Sequence, residues 1–371
     1  MRNRIISLVS NNIATDQRLI KVGKTLTQSG YEFLLIGLKH RGEPSLDHVQ
    51  FLTKRLPVLF KKNIFFYVEI QIRFLIQLLK ESKSNTIILA NDLDTLLPAF
   101  LVAKTFKIPL IFDSHEIFSE LPSLKEGSIQ KRVWQYLERR LLPKTDAMYT
   151  VSNSYATFFK DSYGIDAKVV SNFPVSNLVH PDKNKTTQIL NENKILIYQG
   201  AINESRGIDK MILAMPYLEN TVLWIVGDGP MKPIYEQLVK SENLEDKIKF
   251  WGRINPETLK NITAQANLGL SLEEDNGLSY RYALPNKVFD YIYAGIPILG
   301  SSDLPEVEDI ILKYKVGDVI HNHNPTHIAD KIKQILARPK NEFKAGIEKA
   351  QSDFKWENHE PILLSLFSEY K

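Results

Sequence analysis

Three stretches of the chain have the residue types and spacings of a diphosphate site. After the apolar run KILIYQG, Gly200 closes a strand, and Arg206 with Gly207 opens a helix. Glycine lets backbone approach a ligand, a helix start offers free amides at the positive end of its dipole, and arginine adds a forked cation. An arginine ahead of a helix is also commonplace on a solvated surface. After TVLWIV come Gly227, Asp228, Gly229 and Pro230, which read as a ligand contact or as a tight turn that needs glycine dihedrals. In YRYALPNKVFDYIYAGIPILGSS, Pro285 and Asn286 open a further helix, Lys287 lies in its first turn, Asp290 follows three residues on, and Gly295 ends it. A lysine beside free amides suits a phosphate, and a carboxylate one turn on can accept two hydrogen bonds from ribose hydroxyls. The same two residues also read as an i, i+3 ion pair on a solvated helix.

The first half offers a histidine. His115, in DSHEIFSE, follows the strand IPLIFD and so stands at a strand's carboxyl end, where its near-neutral titration suits hydrogen bonding or proton handling. Asn11, Asn12, Asp16 and Arg18 lie in the connection from the first strand to the first helix, where Asp16 also reads as a helix cap.

The elements that must position these residues follow a βαβ rhythm. RIISLVS, YEFLLIGL, TIILAN, IPLIFDSH, AMYTVS and AKVVSN alternate with helical patterns, the first of them over residues 16–29. Nearly continuous apolar runs are expected of parallel strands covered by helices on both faces. After Asn172 a polar stretch with two prolines breaks the rhythm, and KILIYQG, TVLWIVGDGP, KIKFWG, NLGLSL and IPILGS restart it. The expected organisation is a first domain over residues 1–175, a linker over 176–192, a second domain over 193–352 and an amphipathic helix over 353–371 that packs back on the first. Ligands bind beyond the carboxyl ends of such strands, so a cleft between the two domains is the expected site.

At 371 residues the chain suits two domains of roughly 100 to 200 residues each. The 43% hydrophobic and 24% charged fractions are those of a globular protein. There is no cysteine, so disulfides and thiolate metal sites are excluded and a reducing compartment fits. The apolar run after the basic N-terminus is too short for a signal peptide and reads as a buried strand, and no run reaches the roughly 18 apolar residues of a spanning helix. Up to residue 175 there are 24 basic and 16 acidic residues, net +8; beyond it there are 23 and 27, net −4. A basic first half suits a phosphate-bearing partner or an acidic lipid surface. Lys54, Arg55, Lys61 and Lys62 interleave with Phe60, Phe65, Phe66 and Tyr67, as interfacial docking on an anionic membrane requires. No nucleic-acid-binding module is recognisable.

Taken in order, TDQRLIKVGKTLTQSGYEFLLIG, NDLDTLLPAFLVAKTFKIPLIFDSHEIFSE, MYTVSNS, YQGAINESRGIDKMILAM, IVGDGP, KFWGRI and LPNKVFDYIYAGIPIL resemble a family 4, group 1 glycosyltransferase over nearly the whole length. The resemblance implies the α/β GT-B fold, two facing Rossmann-like doubly wound domains. It implies a nucleotide-sugar donor held mainly by the second domain and a glycan or lipid-linked acceptor held mainly by the first. It further implies retention of anomeric configuration, with no metal or other cofactor. With the basic first domain it points to polysaccharide or lipopolysaccharide assembly, in the cytoplasm and peripherally on the inner face of the cytoplasmic membrane.

Residue by residue, Arg206 takes the place of the family's basic diphosphate contact, and Asp290 that of the second acidic residue, which holds the ribose. His115 matches a histidine near the donor sugar and acceptor, with Glu116, Glu120, Asn12, Asp16 and Arg18 as acceptor-side candidates. Two positions depart from the pattern. The first acidic residue would be Tyr282, which carries no carboxylate, so Glu273 or Glu274 substitutes only if the loop through Asn276 and Gly277 folds back. The second basic residue is Ala201, for which Lys287 is the substitute. Tyr282 keeps open a catalytically inactive GT-B binding protein. A sugar-nucleotide epimerase of the same fold would need further acid and base residues that are not recognised, and no glycine-rich dinucleotide fingerprint follows the first strand.

Overall fold

The computed structural model describes residues 3–14, 16–39, 49–60, 63–176, 193–339 and 341–371. Lys61, Lys62 and residues 177–192 of the expected linker lie outside them. The chain divides into two compact units, Met1–Asn172 with Glu357–Lys371, and Phe173–Trp356.

The first unit is built on seven parallel strands: β1 (Arg4–Leu8), β2 (Glu32–Lys39), β3 (Leu52–Pro57), β4 (Thr86–Asn91), β5 (Leu110–Ser114), β6 (Ala147–Thr150) and β7 (Lys168–Val169), in the order β3-β2-β1-β4-β5-β6-β7. Every residue of β1, β4 and β5 is buried, which is why these strands read as unbroken apolar runs. Register is set along β1, where Ile5 lies opposite Phe33 on one side and Ile87 on the other. The second unit has six parallel strands: β8 (Lys194–Gln199), β9 (Thr221–Val226), β10 (Ile248–Gly252), β11 (Leu268–Ser271), β12 (Ile298–Ser301) and β13 (Gly317–Ile320), in the order β10-β9-β8-β11-β12-β13. In both sheets the strand order reverses once, between β1 and β4 and between β8 and β11. These are the switch points beyond which open α/β sheets bind ligands.

Two strands escape the sequence reading, and both lie at sheet edges. β3 is mostly exposed and carries Lys54 and Arg55, and β13 is only four residues long, so neither forms an apolar run. The unit boundaries also shift. Phe173 packs on Phe289 at 4.7 Å and on Phe354 at 5.1 Å, and Pro174 accepts from the Trp356 amide, so the second unit takes in residues from 173, where the sequence reading carries the first domain to 175 and starts the second at 193. The chain returns to the first unit at 357. There the expected amphipathic helix is a 3-10 turn, Trp356–Asn358, followed by the helix Glu360–Ser368. That helix packs on Gln17–Gln28, with Thr25 donating to Glu360 at 2.8 Å and Phe367 edge-on to Tyr31.

On the first sheet the crossovers β3→β4, β4→β5 and β5→β6 all step the same way. Right-handedness therefore puts the helices Asn63–Glu81, Leu93–Phe106 and Ile129–Leu141 on one face, side by side, while Gln17–Gln28 covers the other.

Candidate active site

In the second unit three loops meet at the β8/β11 switch point, and glycines let their backbones nest. A Cβ on Gly227 (φ 145°) would lie 1.8 Å from the Gly200 carbonyl oxygen, one on Gly229 2.3 Å from that of Ile202, and one on Gly207 (φ 68°) 2.1 Å from that of Leu272. Asp228 accepts from the Gly229 amide at 2.9 Å. Backbone nesting thus accounts for glycine at 227 and 229 beside the neighbouring strand end.

On this platform two cations converge on one carboxylate. Lys287 donates to Glu273 Oε1, the Arg206 guanidinium lies 3.9 Å from the same oxygen, and Ser271 donates to Oε2 at 2.7 Å. Lys287 Nζ also lies 4.0 Å above the Tyr198 ring, and Arg206 4.7 Å above that of Tyr280. Glu273 is 1% exposed and Lys287 7%, whereas the Arg206 side chain keeps 23%. Burial by itself would raise the Glu273 pKa, but Lys287 and Arg206 outweigh it and hold the carboxyl below its usual range. Burial lowers the Lys287 pKa, aided by Arg206 and opposed by Glu273. Gly200 lies beneath Lys287, its would-be Cβ 3.5 Å from the lysine Cε.

A buried carboxylate, that of Glu273, thus stands between Lys287 and Arg206. The loop after β11 folds back: the Glu274 amide donates to Ser205 O at 3.0 Å, and Asn276 Nδ2 to Ser205 Oγ at 2.9 Å. That fold puts Glu273, not Glu274, among the cations. Tyr282 closes the short helix Leu278–Arg281. Asp290 forms no ion pair with Lys287 among the described residues. On the helix Asn286–Ala294 Lys287 turns inward, while the exposed Asp290 accepts from Gln199 Nε2 at 2.7 Å, beside the end of β8. Asn286, exposed, begins that helix, whose Pro285 cap offers no side-chain acceptor to its first amides.

In the first unit a second charged cluster stands at the β1/β4 switch point. The His115 ring lies between two carboxylates, Nδ1 3.3 Å from Asp92 and Nε2 3.1 Å from Asp113, and its amide donates to Asp92 at 2.8 Å. Burial disfavours the charged ring, but Asp92 and Asp113 prevail and raise its pKa to about 9. A pKa raised to about 9 favours the charged ring at pH 7, and both ring nitrogens face aspartates. Asp92 has φ 60° and ψ 163°, a region nearly reserved for glycine, and such strain is found where surrounding structure over-determines a functional site. Asp94, in the first turn of the next helix, accepts from Ser10, and burial raises its pKa to about 7.

The acceptor-side candidates separate. Arg18 is 3% exposed, grips Asp113 at 2.9 and 2.7 Å and donates to Val170 O at 2.5 Å. It braces Asp113 from inside the fold and is not placed to reach a ligand. Asp16 caps the first helix through the Arg18 and Leu19 amides, Asn12 accepts from the Ala14 amide, and Glu120 is taken up by Lys131 at 2.9 Å. Glu116, half-buried beside His115, keeps its place next to the cluster. Of the basic and aromatic segment, Lys54 is bridged to Glu81, while Phe60 and Phe65 are exposed. Sequence reasoning missed Asp92, Asp94 and Asp113. The signal was there, because Asp92 directly follows β4 and Asp113 lies within the last two residues of β5.

A family model described as Glycosyl transferases group 1 matches residues 180–352, and one described as Glycosyltransferase Family 4 matches residues 17–173. The lipopolysaccharide core biosynthesis glycosyltransferase LpsD of Rhizobium meliloti (strain 1021) is 31% identical over 87 residues, 24% of this chain and 25% of that protein. The uncharacterized glycosyltransferase YqgM of Bacillus subtilis (strain 168) is 24% identical over 223 residues, 58% of this chain and 60% of that protein. The matched stretches thus span at most 60% of these curated relatives. Among solved structures, sucrose-phosphate synthase from Thermosynechococcus elongatus is similar with a TM-score of 0.84 and 18% identity over 99% of both chains. HepE from Anabaena in complex with UDP-glucose is similar with a TM-score of 0.77 and 14% identity, again over 99% of both. These structures carry the GT-B fold, and the two sheets described above share it.

Proposed function

Because the chain belongs to the family 4, group 1 glycosyltransferases, we propose that it transfers a sugar from a nucleoside diphosphate sugar to a glycan or lipid-linked acceptor in cell-surface polysaccharide or lipopolysaccharide assembly. The observation that carries this reading is the meeting of Arg206 and Lys287 on Glu273 at the β8/β11 switch point. The UDP-glucose in the HepE complex supports a nucleoside diphosphate donor, and the role named for LpsD supports the biosynthetic setting.

In this scheme Arg206, with the exposed part of its guanidinium, contacts the diphosphate, and Lys287 adds charge from behind. The uncapped amides of Asn286–Ala294 point the positive end of that helix the same way. Asp290, beside the end of β8, accepts from the ribose hydroxyls. The acceptor oxygen bonds to the anomeric carbon as the bond to the diphosphate breaks, and the departing diphosphate oxygen takes the acceptor proton on the same face, giving retention. Stabilisation of the leaving charge by preorganised cations supplies most of the rate. Glu273 is committed to Lys287, Arg206 and Ser271, which argues against a covalent intermediate on that residue. With two cations on the leaving group the scheme calls for no metal, and chelator leaves turnover unchanged.

The test is a thermal-shift screen of the protein and of Arg206→Ala and Asp290→Ala against UDP, GDP, ADP, CMP and their sugar conjugates. Stabilisation by one nucleoside diphosphate, lost in both variants, is the expected result. A folded protein indifferent to all of them would overturn the donor site and favour a noncatalytic role.

A further inference from the structure

We propose that Gln199 is a positioning residue of the donor site: its buried side-chain amide, anchored on Thr263, presets the Asp290 carboxylate to accept from a nucleotide's ribose hydroxyls. The proposal rests on the donor-site reading above and deepens it.

Gln199 ends β8, directly before the switch point, and is 3% exposed. Leu196, Ile197 and Tyr198 before it fill the core, and packing by itself would accept another apolar residue at 199. Instead the side-chain amide spans two helices that pack on each other, Pro256–Thr263 and Asn286–Ala294. Thr263 Oγ1 lies 2.6 Å from Gln199 Oε1, and Gln199 Nε2 donates to Asp290 Oδ2 at 2.7 Å.

Elementary chemistry fixes the direction of this chain of hydrogen bonds. An ionised carboxylate only accepts, so it faces the amide nitrogen, and turning the amide over would set Oε1 against Asp290. Thr263, buried, donates to the amide oxygen and holds that orientation. An exposed aspartate that water can solvate needs no such partner for stability. Held in one setting by Gln199, it has its ordering cost met before a ribose arrives, which is what a supporting residue behind a binding group provides.

The helix that carries Asp290 is secured without the Gln199 side chain. Tyr291, next in sequence and fully buried, places its hydroxyl 3.2 Å from Ile197 O and 3.1 Å from Leu270 O, and accepts from the Gln199 backbone amide at 3.3 Å. Its ring covers Gly269, where a Cβ would stand 2.3 Å from it. Removing the side-chain amide at 199 therefore frees Asp290 while the helix stays in place. Thr263 keeps a second acceptor in Leu259 O at 2.8 Å, so no buried hydroxyl is left unmatched.

The experiment is calorimetric titration of the parent, Gln199→Met and Gln199→Leu with UDP, GDP and ADP, each beside its 2′,3′-dideoxy counterpart. For the nucleotide that the parent binds, either folded variant should bind the ribose form roughly fivefold to tenfold more weakly, the order of one net hydrogen bond, and the dideoxy form as the parent does. Equal weakening of both forms would make Gln199 a general support of the fold and overturn the proposal. Unchanged affinity for the ribose form would overturn it as well. Failure of the underlying reading looks different: a parent that binds none of the three loses the donor site itself, and one that binds ribose and dideoxy forms alike loses the ribose role of Asp290, and the positioning role goes with either.

Discussion

At the scale of single residues, the protein relies on buried charges whose partners are themselves charged. Removing one member of such a set leaves the rest desolvated and uncompensated. Glu273→Ala and Lys287→Met are therefore each expected to destabilise the second unit by about 3 to 5 kcal/mol in urea titrations, because either removes one partner of a buried pair. If the donor-site reading holds, Lys287→Met also lowers kcat by roughly 100-fold, the order found when one preorganised donor to a developing charge is lost.

In the first unit His115 binds its proton more tightly when folded than in the unfolded chain, where its pKa is about 6.5. Its contribution is complete below that pH and fades as pH rises toward about 9. Asp94 has the same sign over a lower window, because burial disfavours its charged form: its contribution is lost between about pH 4 and about 7. Asp113, held by His115 and Arg18 down at about 2 against the opposing effect of burial, acts oppositely and only in acid. Urea stability should thus decline steadily from pH 5 to 9. Asp94→Asn should gain on the parent as pH rises from 4 to 8, and parallel curves for the two proteins would refute the assignment.

At the scale of the elements, the loops beyond the strand ends are legible in outline and not in contact. Glycine at 207 and 227 was readable as a turn or a ligand approach, and the structure supplies a third reason, the carbonyl oxygens of Leu272 and Gly200 where a Cβ would stand. Gly207→Ala and Gly227→Ala should each cost more than about 1 kcal/mol, since positive φ and a backbone clash add. If urea midpoints stay within error of the parent, the nesting is softer than its geometry. Glu273 shows the limit of spacing arguments most clearly. A carboxylate nine positions before Tyr282 could not be assigned by counting, because its place depends on whether Glu274 and Asn276 bond back to Ser205.

The chain leaves the first unit at Asn172 and returns at Glu357, so the first core is completed by residues far along the sequence from the rest of it. Leu363, Leu366 and Phe367 are 0%, 5% and 0% exposed, and burying three such side chains is worth about 5 kcal/mol or more. Truncation after Trp356 should therefore strip hydrogen-exchange protection from the helix Gln17–Gln28 while leaving β8 and β11 protected. Equal loss in both units would mean that they unfold as one.

The sequence alone determined the parallel sheets and the family, because buried strands write themselves as apolar runs and strand ends carry the chemistry. Among the described residues, eleven of the thirteen strands were read in place. Tertiary structure alone decided which charges meet. Arg18 and Asp113 are 95 positions apart and Lys287 and Glu273 14, and nothing in their local patterns fixes the pairing. Pairing of that kind is set by which strand ends the switch points bring together, a property of topology, while periodicity reports only what each segment does with its own neighbours.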